Sequence, residues 1–338
     1  MHETDFAEAV GLRRVPIDEL ALDHVACPLR RRHPVLETSD AWSRVVRGFE
    51  WSDPDDDRAW SAQGLSSSGD GLADGAVEGR RWLIASWQHR VYAMTRVSFV
   101  DISEGEVRYT HALLAEPVAS VRGPTFRDVG NHALGIAWYR DRLFAIDTWG
   151  GVRVFALDQI VEATGRDPEL VGRQPDGTYH ARGCRYIVPQ IARYVPVPGF
   201  LYRWSFCGID RSSAPHALVT GALDAATSEL HWWPLDGDGM LAAPERDRVI
   251  VPTRSQPVDD PGLQAVHAVR DRERAMLWLL ARKHGRSALL VRGVDDPRDY
   301  AWPHHARALA HVPQTGELWT SVEHDETRFA FSVRRRTL

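Results

Sequence analysis

Gly130–Leu157, GNHALGIAWYRDRLFAIDTWGGVRVFAL, reads as three short strands joined by tight turns. LGIAWY is an apolar run ending in aromatics, and Arg140, Asp141 and Arg142 form a polar turn. LFAIDTW is a second run, broken by Gly150 and Gly151 before VRVFAL. A Gly-Gly step between two strand-like runs is a hairpin signal. One such meander has two faces to bury and cannot cover both alone, so the pattern predicts further copies.

The copies are present. Lead strands of small and apolar residues recur as AQGLSS, ALGIAW, LQAVHA and ARALAH. Polar turns follow, and then strands rich in Trp, Phe and Leu: WLIASW, LFAIDTW, LWLLARK and LWTSVEH. Four units align in this way and a fifth, RYIVPQIARYVPV followed by LYRWSFCGID, aligns loosely as the third copy. Repeats of roughly 40–60 residues built from short strands indicate an all-β fold, a β-propeller. The reading gives five blades, with six as the alternative count and a pair of packed β-sandwiches as the rival architecture. The propeller domain spans residues 59–338, and residues 1–58 form an irregular extension that packs on or closes the ring. Within that extension, Ser39-Asp40 followed by AWSRVVRGF predicts a helical turn.

Composition removes several functional classes. A net charge of −5 gives no general basic surface for nucleic acid. No apolar run approaches the ~20 residues that span a bilayer, so no membrane partner is expected. Cys27, Cys184 and Cys207 share no CxxC spacing, which removes a disulfide framework and a thiolate zinc site. The N-terminal MHETDFAEAVGLRR has acids and no apolar core, so the expected location is cytoplasmic. GxSxG, GxGxxG and P-loop motifs are absent, leaving no nucleotide or redox cofactor to expect. A monomer or weak homo-oligomer is expected.

The order HALGIAWYRDRLFAIDTWGGVRVFALDQI, RYIVPQIARY, WSFCGIDRSSAPHALVTG and ELWTSVE…RFAFSV resembles an actinobacterial group of mostly secreted propeller-like proteins, over roughly Trp60–Val333. The chain departs from that group in lacking a signal segment and in its HHARAL stretch. More distantly, the pattern is similar to lactonase- and strictosidine-synthase-like propellers. That resemblance implies a calcium ion held at the channel mouth by Glu, Asn and Asp, and Glu323, Asn131 and Asp147 are the residues it would assign here.

Propeller ligands bind where lead strands converge on the central channel. The alignment places Gln63, Asn131, His132, Gln264, His267, His305 and Arg307 on or beside lead strands. Trp87, Asp147, Trp149, Arg282 and Glu323 sit at the ends of second strands. Imidazole titrates near neutrality, and a carboxylate that orients it fixes its tautomer. His132 with Asp147, and His305 with Glu323, are therefore the catalytic pairs expected. Gln63, Trp87, Asn131, Trp149, Gln264, His267, Arg282 and Arg307 are the expected substrate-binding residues. The sequence reading is a cofactor-independent acid–base enzyme (cyclase, isomerase, lyase or hydrolase) for an apolar or aromatic small molecule such as a natural-product intermediate. The alternatives are a non-catalytic glycan- or partner-binding propeller and a calcium-dependent lactonase-like hydrolase.

Overall fold

The structure, a computed structural model, describes residues 5–338 apart from 31–32, 53–58, 93, 131–132, 149, 198–202, 223–227, 244–247, 261, 272–273, 284 and 324–327. The first four-stranded unit comprises Trp60–Ser67, Trp82–His89, Thr95–Asp101 and Arg108–Ser120. The second comprises Ile136–Tyr139, Arg142–Asp147, Gly151–Ala156 and Tyr186–Pro196. Trp204–Asp210, Ala217–Ala222, Ser228–Pro234 and Arg254–Val258 form the third. Leu263–Asp271, Arg274–Lys283, Arg286–Arg292 and Arg298–Trp302 form the fourth. Ala306–Val312, Glu317–Glu323 and Arg328–Arg334 begin the fifth, and Val45–Glu50 from the N-terminal segment completes it.

The first strand of each unit touches the first strand of the next, and that of the fifth touches that of the first. The units therefore close into a ring around their inner strands, and the fold is an all-β propeller. Closure is a main-chain ladder: Val45–Glu50 runs antiparallel to Arg328–Arg334, from Phe329 opposite Glu50 to Val333 opposite Val45. The helical turn expected from AWSRVVRGF is thus a single 3₁₀ turn, Trp42–Arg44, followed by this strand. The open edge of the last unit outweighs the rough helical spacing, and two adjacent valines suit an extended backbone.

Two registers deserve correction against the sequence. RYIVPQIARYVPV, which the repeat places at the head of the third copy, is the outer strand of the second unit. It also runs parallel to the outer strand of the first unit, from Tyr186 opposite Ala112 to Pro189 opposite Ala115. The polar stretch 166–183 carries its own small hairpin, Val171–Arg173 with Tyr179–Ala181.

Each interface between units has its own apolar filling. Trp82, Ile84, Phe99 and Trp138 pack between the first and second units. Phe144, Ile146, Trp204 and Trp233 fill the next interface, and Phe206, Trp232, Leu277 and Leu279 the one after. Trp278, Trp302, Leu318 and Phe331 join the fourth to the fifth. Leu83, Trp87, Trp319 and Trp51 join the fifth back to the first. The tryptophans of this chain are mainly interface fillers, each burying a large area.

At the centre the inner strands are too close for side chains at certain positions. A Cβ on Gly64 would meet the Ile136 nitrogen at 2.8 Å, and one on Gly208 would meet the Val266 carbonyl oxygen at 2.6 Å. Gly135 is similarly pressed on Cys207. These glycines set how tightly the ring can close. Neighbouring backbone cannot give way as a flexible side chain can, so Gly208→Ala should cost ~1–3 kcal/mol in chemical denaturation. Gly237→Ala, where nothing lies within 4 Å, should stay within ~0.5 kcal/mol of the parent. Equal effects of the two substitutions would refute the steric account of closure.

Candidate functional site

Four of the five inner strands carry a register irregularity near their start. It falls between Ala62 and Leu65, Trp204 and Phe206, Leu263 and Ala265, and Ala306 and Ala308. A bulge leaves a residue out of the ladder and re-aims its side chain. The residues released are Gln63 with Gly64, Ser205, Gln264 and Arg307. Ser86 accepts the Gly64 N–H at 2.8 Å and donates to the Ala133 carbonyl at 2.9 Å, so the first bulge is tied to the second unit.

Three of these side chains meet in one network. Arg307 donates through Nε to Glu323 at 3.0 Å and through Nη1 to Gln264 Oε1 at 3.0 Å. Arg90 reaches the other Glu323 oxygen at 3.2 Å. Ser61 donates to that same oxygen, and Gln63 Nε2 donates to Ser61 Oγ at 2.6 Å. The network draws on the first, fourth and fifth units. Glu323 is a largely buried carboxylate held by two arginines, and Arg307 keeps part of its guanidinium exposed.

A second polar group lies further along the same inner strands. After Ser67 the chain makes one helical turn, Ser68–Gly71, which touches the inner strands of the second and fifth units. Its Asp70 accepts from the His311 main-chain N–H at 3.1 Å and from Ser67 Oγ at 3.2 Å. His267 Nδ1 lies 3.7 Å from the other Asp70 oxygen, and the His267 and His311 rings are 4.6 Å apart. The Nε2 atoms of both imidazoles are buried without a hydrogen-bond partner among the described residues. Arg211 comes close, but its guanidinium donates to the Asp70 and Leu72 main-chain carbonyls.

Burial dominates the electrostatics here. It pushes the Asp70 carboxyl up to about 7, against the hydrogen bonds from His311 and Ser67. It brings the His311 imidazole down to about 3, with Arg335 adding to the effect. His267 is held well below the usual range by burial, by His311 and by Arg335. The result is a carboxyl that titrates near neutrality beside two neutral imidazoles.

The expected site residues therefore separate. Gln63, Gln264, Arg307 and Glu323 are brought together in one hydrogen-bonded network. His267 belongs to the deeper group with Asp70. His305 is linked to Glu323 by a main-chain hydrogen bond of 3.0 Å from the Glu323 N–H, while the Glu323 carboxylate goes to Ser61 and the arginines. Trp87 is not at the mouth: it is fully buried, bonded to Ser98 Oγ at 2.7 Å and packed edge-on against Trp51. Arg282 is exposed at a strand end, away from these contacts. Asn131, His132 and Trp149 lie outside the described residues, and with them the expected His132–Asp147 pair. Asp147 itself faces Arg153, 3.2 Å away, and Arg193.

Asp70, Arg90 and His311 were missed from the sequence. Asp70 sits in a Gly/Ser/Asp loop that reads as a solvated connection, and nothing local marks its return to the ring axis. Of the calcium ligands implied by resemblance, Asn131 lies outside the described residues and the other two are ion-paired. Glu323 and Asp147 are each already neutralised by arginines, which place positive charge where a cation would sit. No cluster of three His, Cys, Asp or Glu residues suited to a metal occurs among the described residues. No helix of the described residues is long and apolar enough to cross a membrane.

No protein-family model and no curated protein sequence matches the chain. Solved structures similar to it include a beta-fructofuranosidase from Bombyx mori, at 10% identity and TM-score 0.41, covering 80% of this chain and 61% of that one. A gluconolactonase from Xanthomonas campestris is similar at 12% identity and TM-score 0.40, covering 95% of this chain and 97% of that one. The Swd1 β-propeller domain of Myceliophteria thermophila follows at 12% identity and TM-score 0.31, with 80% and 82% covered. The chain thus spans about three fifths of the fructofuranosidase that it matches.

The buried titrating groups predict a pH signature. Between about pH 4 and 7 native Asp70 keeps a proton that the unfolded chain has released, so its contribution to stability falls as pH rises through that window. His311 acts the other way: below its ordinary 6.5 the unfolded chain takes a proton that the buried ring refuses until about 3, so stability falls as pH drops. Asp70→Asn keeps the acceptor for His311 and removes only the first effect. Relative to the parent it should gain stability progressively from about pH 4 to 7, by up to ~4 kcal/mol, in urea denaturation at stepped pH. A difference that stays constant across this range would show that the Asp70 carboxyl is not shifted.

Proposed function

We propose that this propeller is an acid–base enzyme without a redox cofactor, acting on a small polar molecule held in its central channel. The observation that carries the reading is Asp70, a carboxyl against the inner strands poised at about 7 beside two neutral imidazoles whose buried Nε2 atoms have no hydrogen-bond partner among the described residues. General acid–base catalysis is most efficient when the group titrates near the working pH. Asp70 would take or give the proton, and the Nε2 atoms of His267 and His311 would hold a substrate oxygen through hydrogen bonds. Arg307, Gln264 and Gln63 at the mouth would anchor the other end of the substrate. Gln264 precedes His267 by three residues and Arg307 precedes His311 by four. At ~3.3 Å per residue the two layers stand roughly 10–13 Å apart along their strands, the length of a small molecule.

The substrate class follows from what surrounds the mouth. Trp87 is withdrawn into the packing, so an aromatic cage has no support among the described residues, whereas amide, hydroxyl and guanidinium groups are grouped there. A ligand bearing carbonyl, hydroxyl or carboxylate groups suits them. Isomerisation, elimination, cyclisation and hydrolysis of such a molecule all need a proton moved, and all remain within the proposal. The grouping of unlike residues from three units at one mouth favours a single ligand over the repeated sites of a glycan-binding platform.

A thermal-shift screen of hydroxy acids, lactones and sugars, followed by NMR assay of each hit for turnover, tests this reading. Arg307→Ala should weaken binding of a true ligand ~10-fold or more, the cost of a charge-assisted hydrogen bond. Asp70→Asn should leave binding within a few-fold and lower turnover by ~10²-fold or more. Hits that bind, respond to Arg307→Ala and never turn over would instead establish a binding propeller.

A further inference from the structure

Away from these two polar groups, an open groove of about 850 Å³ lies between the first three units and the N-terminal segment. Its size suits a drug-sized molecule. Ile17, Leu72, Val77, Trp138 and Leu157 give it an apolar floor that continues into the core between those units. Gly71 seats directly on the Trp138 ring, where a Cβ would come within 2.6 Å. The floor is thus built by close packing and is not a gap between loose loops.

The charges around the floor are unbalanced. Asp18, Asp74 and Glu78 line the groove with no ion-pair partner among the described residues. Asp141 and Asp158 also line it and share one cation, Arg142, at 2.9 and 3.3 Å. The arginines that reach the groove are occupied. Arg14 pairs with Asp5, Arg140 donates to the Gly237 carbonyl, and Arg211 donates to the carbonyls of Asp70 and Leu72. His216 bonds to the Tyr139 hydroxyl at 2.8 Å, and burial with the nearby Arg211 and Arg140 lowers its tendency to charge. The groove thus sets five carboxylates against the cations Arg140, Arg142 and Arg211, with Arg14 paired to Asp5, and Asp18, Asp74 and Glu78 are left without an ion-pair partner among the described residues.

We propose that this groove is a second ligand site, separate from the channel, that takes a cationic amphipathic small molecule: an apolar or aromatic body on the Trp138–Leu72–Leu157 floor and an ammonium group among Asp18, Asp74 and Glu78. An amine satisfies both halves of the groove at once. A neutral apolar ligand leaves the carboxylates uncompensated, and an anion is repelled by them. The site does not depend on the channel chemistry, because no residue of its floor or rim belongs to the Asp70, His267 and His311 side-chain group.

Phenylpropylamine is the test probe, with phenylpropanol and phenylpropanoate as neutral and anionic counterparts of the same body. Titration into the whole chain near neutral pH, followed by amide NMR shifts, should show saturable binding centred on Leu72, Ala73, Val77 and Leu157. The amine should bind at least ~10-fold more tightly than the alcohol, with no binding of the carboxylate. Asp74→Asn with Glu78→Gln, both exposed, should reduce amine affinity ~10-fold and leave that of the alcohol unchanged. Ala73→Trp, which fills the groove from an exposed position, should abolish both. Equal affinity for amine and carboxylate, shifts centred elsewhere, or binding untouched by Ala73→Trp would each overturn the proposal.

Discussion

Everything at the centre of this molecule depends on a ring that closes by main-chain pairing. Val45–Glu50 lies against Arg328–Arg334, so the two ends of the propeller are joined by the same ladder that holds each unit together. A ring held at its circumference can be pulled tight at its axis. It is tight enough that Gly64, Gly135 and Gly208 stand where a methyl group would strike the next strand. Gly64 lies inside the bulge of its strand, and three other inner strands carry bulges near their starts. These bulges give Gln63, Gln264 and Arg307 to the network around Glu323.

The two polar layers of the channel resolve the burial of charge in opposite ways. Glu323 remains among cations, and its negative charge is met by Arg307 and Arg90. Asp70 has no guanidinium on its carboxylate: Arg211, the nearest, spends its donors on main-chain oxygens. A buried carboxylate without a counter-charge costs more than hydrogen bonds return, so the group moves towards its protonated form. The same desolvation keeps His267 and His311 neutral, and the two imidazoles cannot supply the missing charge. An ion pair fixes geometry, and an unpaired carboxyl holds a mobile proton. The first suits anchoring and the second suits proton transfer.

Much of the architecture was legible in the sequence because both its signals are local. The lead-strand pattern and the Gly150-Gly151 hairpin survive intact, with Asp147 opposite Gly151 and Gly151 at φ +87°. Errors arose where tertiary contact overrode local pattern. AWSRVVRGF has helical spacing and becomes a strand because an unpaired edge awaits it. RYIVPQIARYVPV reads as the start of a unit and is the end of the one before. Within the candidate site, residues on lead strands could be placed by alignment: Gln63, Gln264 and Arg307 share the Glu323 network, and His267 lies beside Asp70. Trp87 could not, since strand alternation has to be known to one residue before a tryptophan can be assigned to packing or to a mouth. Asp70 lay beyond reach for a different reason: its loop is polar and glycine-rich, and only the closed ring brings it back against His311.

The placement of that loop has a further physical meaning. Ser68–Gly71 is a single turn with Asp70 towards the axis and Gly71 on the Trp138 ring. A turn this short has little stability of its own. It is held by Ser67 on the Asp70 N–H at 3.0 Å, by Ser68 donating to the Gly75 carbonyl at 2.7 Å, and by Arg211 on the Asp70 carbonyl and on that of Leu72 just after the turn. Each of these is a polar contact made within or onto the turn, so its position is set from several directions at once. The Asp70 carboxyl is desolvated by this surround, which raises it towards neutrality. A group whose proton affinity is fixed by geometry in this way is a property of the closed ring, and it would be lost with the ladder that closes it.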